Sequence, residues 1–179
     1  MDQTIYLIRH CQAVGQEADA PLTEAGERQV VELADRFAGV EVRRIISSPF
    51  VRAYRSITPL AERLDLEIEL DERLIERNLS PVPLDDWRQR LAQTFDDLDL
   101  TFNGGESSRT AMTRALAVVD DARQQPTNPT ILVTHGNLMT LILKHFNNQI
   151  GYAEWENLQN PDVYCVRFSG ERISVETMA

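Results

Sequence analysis

The 179-residue sequence predicts an α/β fold with a doubly wound, mostly parallel central sheet flanked by helices, and three observations carry that prediction. Apolar runs at 4–9, 43–47 and 130–134 have the length and β-branched character of strands, and the first and last are apolar enough to be covered on both faces. Stretches of helical periodicity separate the runs, and strands alternating with single helices pack as a parallel sheet. Thr23, Gly39 and Ser48-Pro49 stand where helix starts and stops are needed.

The elements follow in order. The run Thr4 to Arg9 is the first strand and delivers Arg9-His10 into a polar loop. Thr23 caps a helix with Val30, Leu33, Ala34 and Phe37 on one face, ending near Gly39. Arg43 to Ser47 is the second strand; Ser48 caps the next helix with Pro49 at its first position, which places Arg52 in the first turn. That helix turns Tyr54, Ile57, Ala61 and Leu64 inward and is expected to kink at Pro59. The alternation from Leu66 to Leu70 suits an edge strand. Residues 80–105 hold five aspartates, two arginines, Pro81, Pro83 and Gly104-Gly105, and read as an insertion or lid containing one helix. Glu106-Ser107-Ser108 opens a helix with Met112, Leu116 and Val119 on one face. Thr130 to Thr134 is a buried strand that leads through His135-Gly136 into a helix from about Asn137 to Phe146. Tyr164, Val166 and Phe168, a turn at Ser169-Gly170, and Ile173 with Val175 predict a closing hairpin. The whole reads as one domain, 1–179.

Composition restricts the function. With 18 Lys+Arg against 28 Asp+Glu, the net charge of −10 argues against nucleic acid or an anionic membrane surface as a partner. No apolar run approaches the length of a membrane span. Two cysteines, Cys11 and Cys165, are too few for a disulfide framework and lack metal-site spacing, so a reducing compartment is expected. The N-terminus has no basic, secretory pattern, and a cytoplasmic location is expected.

Against this acidic background the strand ends invert the sign. Arg9-His10 ends the first strand, Arg52 follows the second within one helical turn, and His135 ends the strand before the last long helix. Ligands of open α/β sheets collect at these ends, and helix N-termini add oriented N–H groups, so the inferred ligand is a phosphoryl group. Two of the three histidines terminate buried strands, where an apolar residue would serve a core better. The third, His145, sits near a helix C-terminus and is left outside the site.

These residues resemble the histidine phosphatase, or phosphoglycerate mutase-like, superfamily. The similarity lies in Leu7-Ile8-Arg9-His10, Pro21-Leu22-Thr23-Glu24-Ala25-Gly26, Ser47-Ser48-Pro49-Phe50-Val51-Arg52-Ala53, Leu74-Ile75-Glu76, Gly105-Glu106-Ser107 and Val133-Thr134-His135-Gly136, in the family's order. The resemblance implies a nucleophilic His10 that forms a phosphohistidine, with Arg9, Arg52 and His135 holding the phosphoryl oxygens. It also implies a carboxylic acid as proton donor, for which Glu76 is the candidate and Glu72 the fallback. Gln12, Gly136 and Asn137 are candidates for the substrate loop. Arg forks and a cationic imidazole would neutralise the transferring group, so no metal and no organic cofactor is expected. The sequence departs from the family at Cys11, which stands where a glycine is usual, and at Ser80.

The expected function is hydrolysis of a small phosphomonoester by a metal-independent histidine phosphatase. Two alternatives stay open: a phosphoglycerate mutase-type phosphotransferase, and a non-catalytic module that binds phosphate or phosphoprotein. A cysteine-dependent phosphatase loop is disfavoured, because after the five residues Gln12 to Gln16 that follow Cys11 the position that needs arginine is Glu17. The acidic 80–105 segment suits a substrate with few further negative charges. The leaving group and the oligomeric state are not legible.

Overall fold

The computed structural model describes residues 2–178; Met1 and Ala179, the ends of the expected domain, lie outside the described residues. Six strands form one mixed sheet: β1 (Gln3–Arg9), β2 (Arg44–Ser47), β3 (Ile68–Leu70), β4 (Thr130–Thr134), β5 (Asp162–Ser169) and β6 (Arg172–Thr177), in spatial order β3-β2-β4-β1-β5-β6. The first four strands in that order run parallel, and the closing hairpin adds β5 antiparallel to β1 and β6 antiparallel to β5. The helices are α1 (Glu24–Arg36), α2 (Val51–Leu64), α3 (Trp87–Asp96), α4 (Ser108–Gln124), α5 (Gly136–Phe146) and α6 (Tyr152–Asn157).

Alternation along the strands makes the sheet doubly wound. Ile5 and Leu7 of β1, Ile46 of β2 and Leu132 of β4 face one core, shared with α3, α4 and α5. Ile8, Ile45, Ile131 and Val133, one residue out of phase, face the other core under α1 and α2. Parallel strands covered on both sides need apolar residues at every position, which explains why the central runs read as continuous rather than alternating. Among the described residues no helix is long and apolar enough to cross a membrane.

Three local expectations change. Thr23 caps α1 as predicted, accepting a bond from the Gly26 N–H, but Ser48 does not cap α2. The N-cap is Phe50, the helix begins at Val51, and the Ser48 hydroxyl is engaged elsewhere; α2 then continues through Pro59. In α4 the buried face is the small-residue row Ala111, Ala115, Val118, Val119 and Ala122, whereas Met112 and Leu116 sit only partly buried beside it. Small side chains let α4 approach α5 closely. The short helix α6 and a 3-10 turn at Glu72–Leu74 carry no signal strong enough to predict.

Residues 80–105 form an excursion with closed ends. The Glu106 N–H donates to the Asn78 carbonyl at 2.8 Å, and a side chain at Gly105 would run into the backbone of Leu79. Between these ends α3 buries Leu91, Thr94 and Phe95 against the core. The segment is therefore pinned at its neck and at its helix, with an exposed rim from Pro81 to Pro83 and at Asp85 to Gln89.

Candidate active site

The carboxyl ends of all four parallel strands converge. β1 ends in Arg9 and passes to His10, whose N–H continues the ladder to the Thr134 carbonyl at 3.1 Å. β4 ends in Thr134, and His135 is the N-cap of α5. β2 passes through Ser48 and Phe50 into α2, which carries Arg52 in its first turn. After β3, the Asp71 N–H binds the Ser47 carbonyl and the Thr134 hydroxyl donates to the Leu74 carbonyl at 2.8 Å, so the strand's exit loop lies over β4 and brings in Glu76. Four chain segments far apart in sequence thus meet because the parallel ladder places like ends together.

The geometry of His10 determines which nitrogen is free. Its Nδ1 lies 2.6 Å from the Cys11 carbonyl, which only accepts, so Nδ1 carries the proton. The lone pair is then on Nε2, where the Arg52 Nε–H donates at 3.2 Å. Burial, reinforced by Arg52 and Arg9 and only partly offset by the Cys11 carbonyl, pushes the His10 pKa down to about 3. At neutral pH this is an uncharged imidazole with an oriented lone pair. The Asn160 side chain, from the loop before β5, holds the His10 carbonyl at 2.8 Å.

His135 is fully buried, and its Nε2 lies 2.8 Å from the Ser48 hydroxyl while its Nδ1 has no partner among the described residues. The two imidazole rings meet edge to face, 5.1 Å between centroids, and Phe50 packs on His135 at the same distance. Burial, with His10, Arg52, Arg114 and Arg9 acting in the same direction, holds His135 well below the ordinary histidine range. This differs from the expectation of a cationic imidazole: burial keeps His135 neutral, and the positive charge belongs to the arginines.

Arg52 is 1% exposed, and its Nη1 donates to the Glu17 carbonyl at 2.7 Å. Arg9 is half-buried; its Nη1 donates to the carbonyls of Leu158 and Gln159, while its buried Nε has no partner among the described residues. Burial lowers both guanidinium pKa values and the Glu76 carboxylate opposes that shift. Both remain cations, since guanidinium does not deprotonate in proteins. Gly136 packs against Arg9: a Cβ there would sit 3.2 Å from Arg9 Nε, against the guanidinium.

Glu76 occupies the positive end of α5. Its Oε2 accepts the Asn137 N–H at 3.0 Å, and its Oε1 accepts the Leu138 N–H at 3.0 Å and the Arg77 N–H at 2.9 Å. Glu72, the fallback, lies exposed on the 3-10 turn and is not brought to the cluster. Gln12 is also turned away, because its side chain accepts from the Thr23 hydroxyl at 3.0 Å and its N–H binds Gln29 on α1. A Cβ on Gly26 would run into the Gln12 carbonyl, so the Thr23-to-Gly26 segment serves to seat the loop that follows His10. Asn137 is 6% exposed, and both polar atoms of its amide lack partners among the described residues.

Cys11 is not among the described non-glycine residues with positive φ, which are Asp65 and Asn103, so the backbone there has no need of glycine. Its side chain is wholly buried among Ile8, Leu22 and Val30, and burial raises the thiol to about 11. A thiol so placed is a wall residue rather than a nucleophile. Sequence reasoning missed Ser48 and Asn160 as parts of the site. Ser48 did carry a signal, a buried polar residue at a strand end, but it was absorbed by the helix-cap reading; Asn160 carried none. Among the described residues no three His, Cys, Asp or Glu side chains are grouped as metal ligands.

The profile of the histidine phosphatase superfamily (branch 1) matches residues 5–179. A probable phosphoglycerate mutase, GpmB of Shigella dysenteriae serotype 1 (strain Sd197), is 27% identical over 150 residues, covering 74% of this chain and 69% of the relative. Among solved structures, a mycobacterial glucosyl-3-phosphoglycerate phosphatase superposes with a TM-score of 0.78 at 24% identity, covering 99% of this chain and 97% of the other. A phosphoserine phosphatase mutant from Entamoeba histolytica, in complex with phosphoserine, gives 0.77 at 18% identity, covering 98% and 96%. At these identities the structural matches establish the fold.

Proposed function

The chain belongs to the histidine phosphatase superfamily, and from that premise we propose that it hydrolyses a small phosphomonoester through a phosphohistidine at His10. The observation that carries the proposal is the state of His10: neutral, with Nδ1–H spent on the Cys11 carbonyl and the Nε2 lone pair aligned by Arg52. A nucleophile needs an unprotonated nitrogen at a fixed position; burial beside two cations keeps Nε2 unprotonated at neutral pH, and the Arg52 N–H that it accepts passes to a phosphoryl oxygen as the pair attacks.

In the first half-reaction the Nε2 pair attacks phosphorus while the ester P–O bond breaks. Arg9, Arg52 and His135 take the phosphoryl oxygens, and Glu76 passes a proton to the leaving oxygen. The imidazole becomes cationic as the P–N bond forms, and its Nδ1–H bond to the Cys11 carbonyl strengthens accordingly. In the second half-reaction water attacks phosphorus, its proton passes to Glu76, and the P–N electrons return to His10. Asn137, with a buried amide satisfied on neither side, is assigned to contact the substrate next to the phosphoryl group.

Hydrolysis is preferred over mutase chemistry because a phosphoglycerate brings a second anionic group. The two arginines of the 80–105 segment are already engaged: Arg90 with Asp86 at 2.7 Å and Arg88 with Glu156 at 3.4 Å. The substrate is accordingly a monophosphate with few other negative charges, met in a reducing, cytoplasmic setting where both buried thiols stay reduced.

The test is phosphate release from an activated aryl phosphate, with chelator present, by the wild type, His10→Ala and Cys11→Ser. Turnover is expected in the wild type and in Cys11→Ser and lost in His10→Ala, with an acid-labile phosphoryl group trapped on the His10 peptide. Activity that survives His10→Ala, or a wild type that binds phosphate without releasing it from any ester, would overturn the proposal. Transfer of the phosphoryl group to a glycerate acceptor in preference to water would identify a mutase.

A further inference from the structure

Among the described residues Ser48 is the one buried hydroxyl that touches a site histidine, and its oxygen has two protein hydrogen-bond partners. It is 0% exposed, as is His135. Its oxygen accepts the Phe50 N–H at 3.3 Å, and its only other hydrogen-bond partner among the described residues is His135 Nε2 at 2.8 Å. The hydroxyl proton therefore has a single acceptor. Were Nε2 to carry the proton and donate it, the serine oxygen would receive two N–H groups while its own O–H pointed at nothing, a buried donor left unsatisfied.

We propose that Ser48 is a positioning residue that holds His135 in the Nδ1–H tautomer, so that Nδ1–H is presented as a donor to a phosphoryl oxygen. The inference rests on the phosphoryl-transfer reading of the pocket and adds to it the identity of the donating atom. His135 Nδ1 is buried and has no protein partner among the described residues, so a proton there is available to a ligand oxygen. In the opposite tautomer a bare lone pair would face the phosphoryl oxygens and repel them. A neutral His135, as burial dictates, has only one proton, so the choice of nitrogen decides whether the residue binds or repels phosphate. Ser48 thus does for His135 what the Cys11 carbonyl does for His10. The two contacts leave opposite functions: a lone pair on His10 Nε2 for attack, and a proton on His135 Nδ1 for stabilisation. Phe50 fits this role, since its N–H occupies one lone pair of Ser48 and its ring packs on His135 at 5.1 Å.

The test reads the tautomer directly. With only His10, His135 and His145 in the chain, a long-range proton–nitrogen spectrum of the 15N-histidine-labelled protein is assignable with His10→Ala and His145→Gln. The expected result is a pyrrole-type Nδ1 and a pyridine-type Nε2 for His135 in the wild type; the reverse pattern overturns the assignment without recourse to any variant. Ser48→Ala should leave a mixture of tautomers, bind inorganic phosphate about tenfold more weakly and lose about 10–100-fold in kcat, a range typical of partners that orient a functional imidazole. Ser48→Thr, which keeps the hydroxyl, should restore both the spectrum and the affinity. Wild-type phosphate affinity in Ser48→Ala, or a spectrum unchanged by it, counts against the proposal. A wild type with the Nδ1–H tautomer but no phosphohistidine would leave Ser48's role in phosphate binding standing and remove only the covalent mechanism.

Discussion

The pocket at the strand ends and the excursion between Asn78 and Glu106 are built in opposite ways. In the pocket His10, Arg52 and His135 are 7%, 1% and 0% exposed, and each is held by a group from elsewhere in the chain: Asn160 on the His10 carbonyl, the Glu17 carbonyl on Arg52 and the Ser48 hydroxyl on His135. In the excursion only Leu91, Thr94 and Phe95 are buried, and the rest is a polar rim in which aspartates outnumber arginines five to two. The pocket concentrates positive charge inside an acidic protein, whereas the rim is itself acidic. The contrast teaches where each part of the task lies. Phosphoryl transfer needs charges fixed before the substrate arrives, since reorganising them during the reaction would forfeit the gain. Recognition of the leaving group tolerates an exposed surface, and loops on a rigid scaffold commonly provide it.

Changes in the pocket should therefore act on kcat and changes in the rim on KM. The largest effect is expected for Arg52→Ala, which removes a buried donor from the phosphoryl group and from His10: kcat/KM should fall about 10²–10³-fold, or about 2.7–4 kcal/mol, in steady-state assays with an aryl phosphate. A fall confined to KM would erase the distinction. Next, Glu76→Gln keeps the shape of the side chain at the α5 terminus but cannot deliver a proton. With an alkyl phosphate, whose leaving oxygen is strongly basic, kcat should drop about 100-fold, while an activated aryl phosphate should be affected less than about tenfold. Equal losses on both esters would remove Glu76 as the donor.

Acid should find the pocket before the rim. Above about pH 6.5 His10 is neutral in both folded and unfolded chains, and nothing is lost. As pH falls from 6.5 towards 3, the unfolded chain takes up a proton that the folded site refuses, so stability declines across that window. By pH 5 His10 alone should cost about 2 kcal/mol, and His135 acts in the same direction. Urea melts of the wild type and His10→Asn at pH 7 and pH 5 measure the difference; an equal decline in both would place the acid sensitivity elsewhere. The smallest effect belongs to the rim. Trp87 is 42% exposed and meets Trp155 edge to face at 6.0 Å, so Trp87→Ala should cost about 0.5–1.5 kcal/mol in stability, leave kcat intact and shift KM between substrates.

Much of this was legible in the order of residues. Apolar runs with no polar alternation require a parallel sheet covered on both faces, and a parallel sheet puts the residues after each run side by side, so Arg9, His10, Arg52 and His135 follow from the pattern of Ile, Leu and Val before them. What tertiary structure decided is everything that depends on direction or burial. Glu72 and Glu76 lie in one charge run and look alike in sequence; only the docking of the β3 exit loop on β4 puts the second against the α5 terminus and leaves the first in solvent. Gln12 sits two residues from His10, yet Thr23 and Gln29 draw it onto α1. The charge of His135 and the proton on each imidazole are set by groups distant in sequence or by the local turn of the backbone: Ser48 for one ring, the Cys11 carbonyl for the other. A sequence determines which side chains share an end of the sheet because strand periodicity is local. The hydrogen-bond partner that selects a tautomer, and the burial that selects a charge, exist only once distant segments have closed around them.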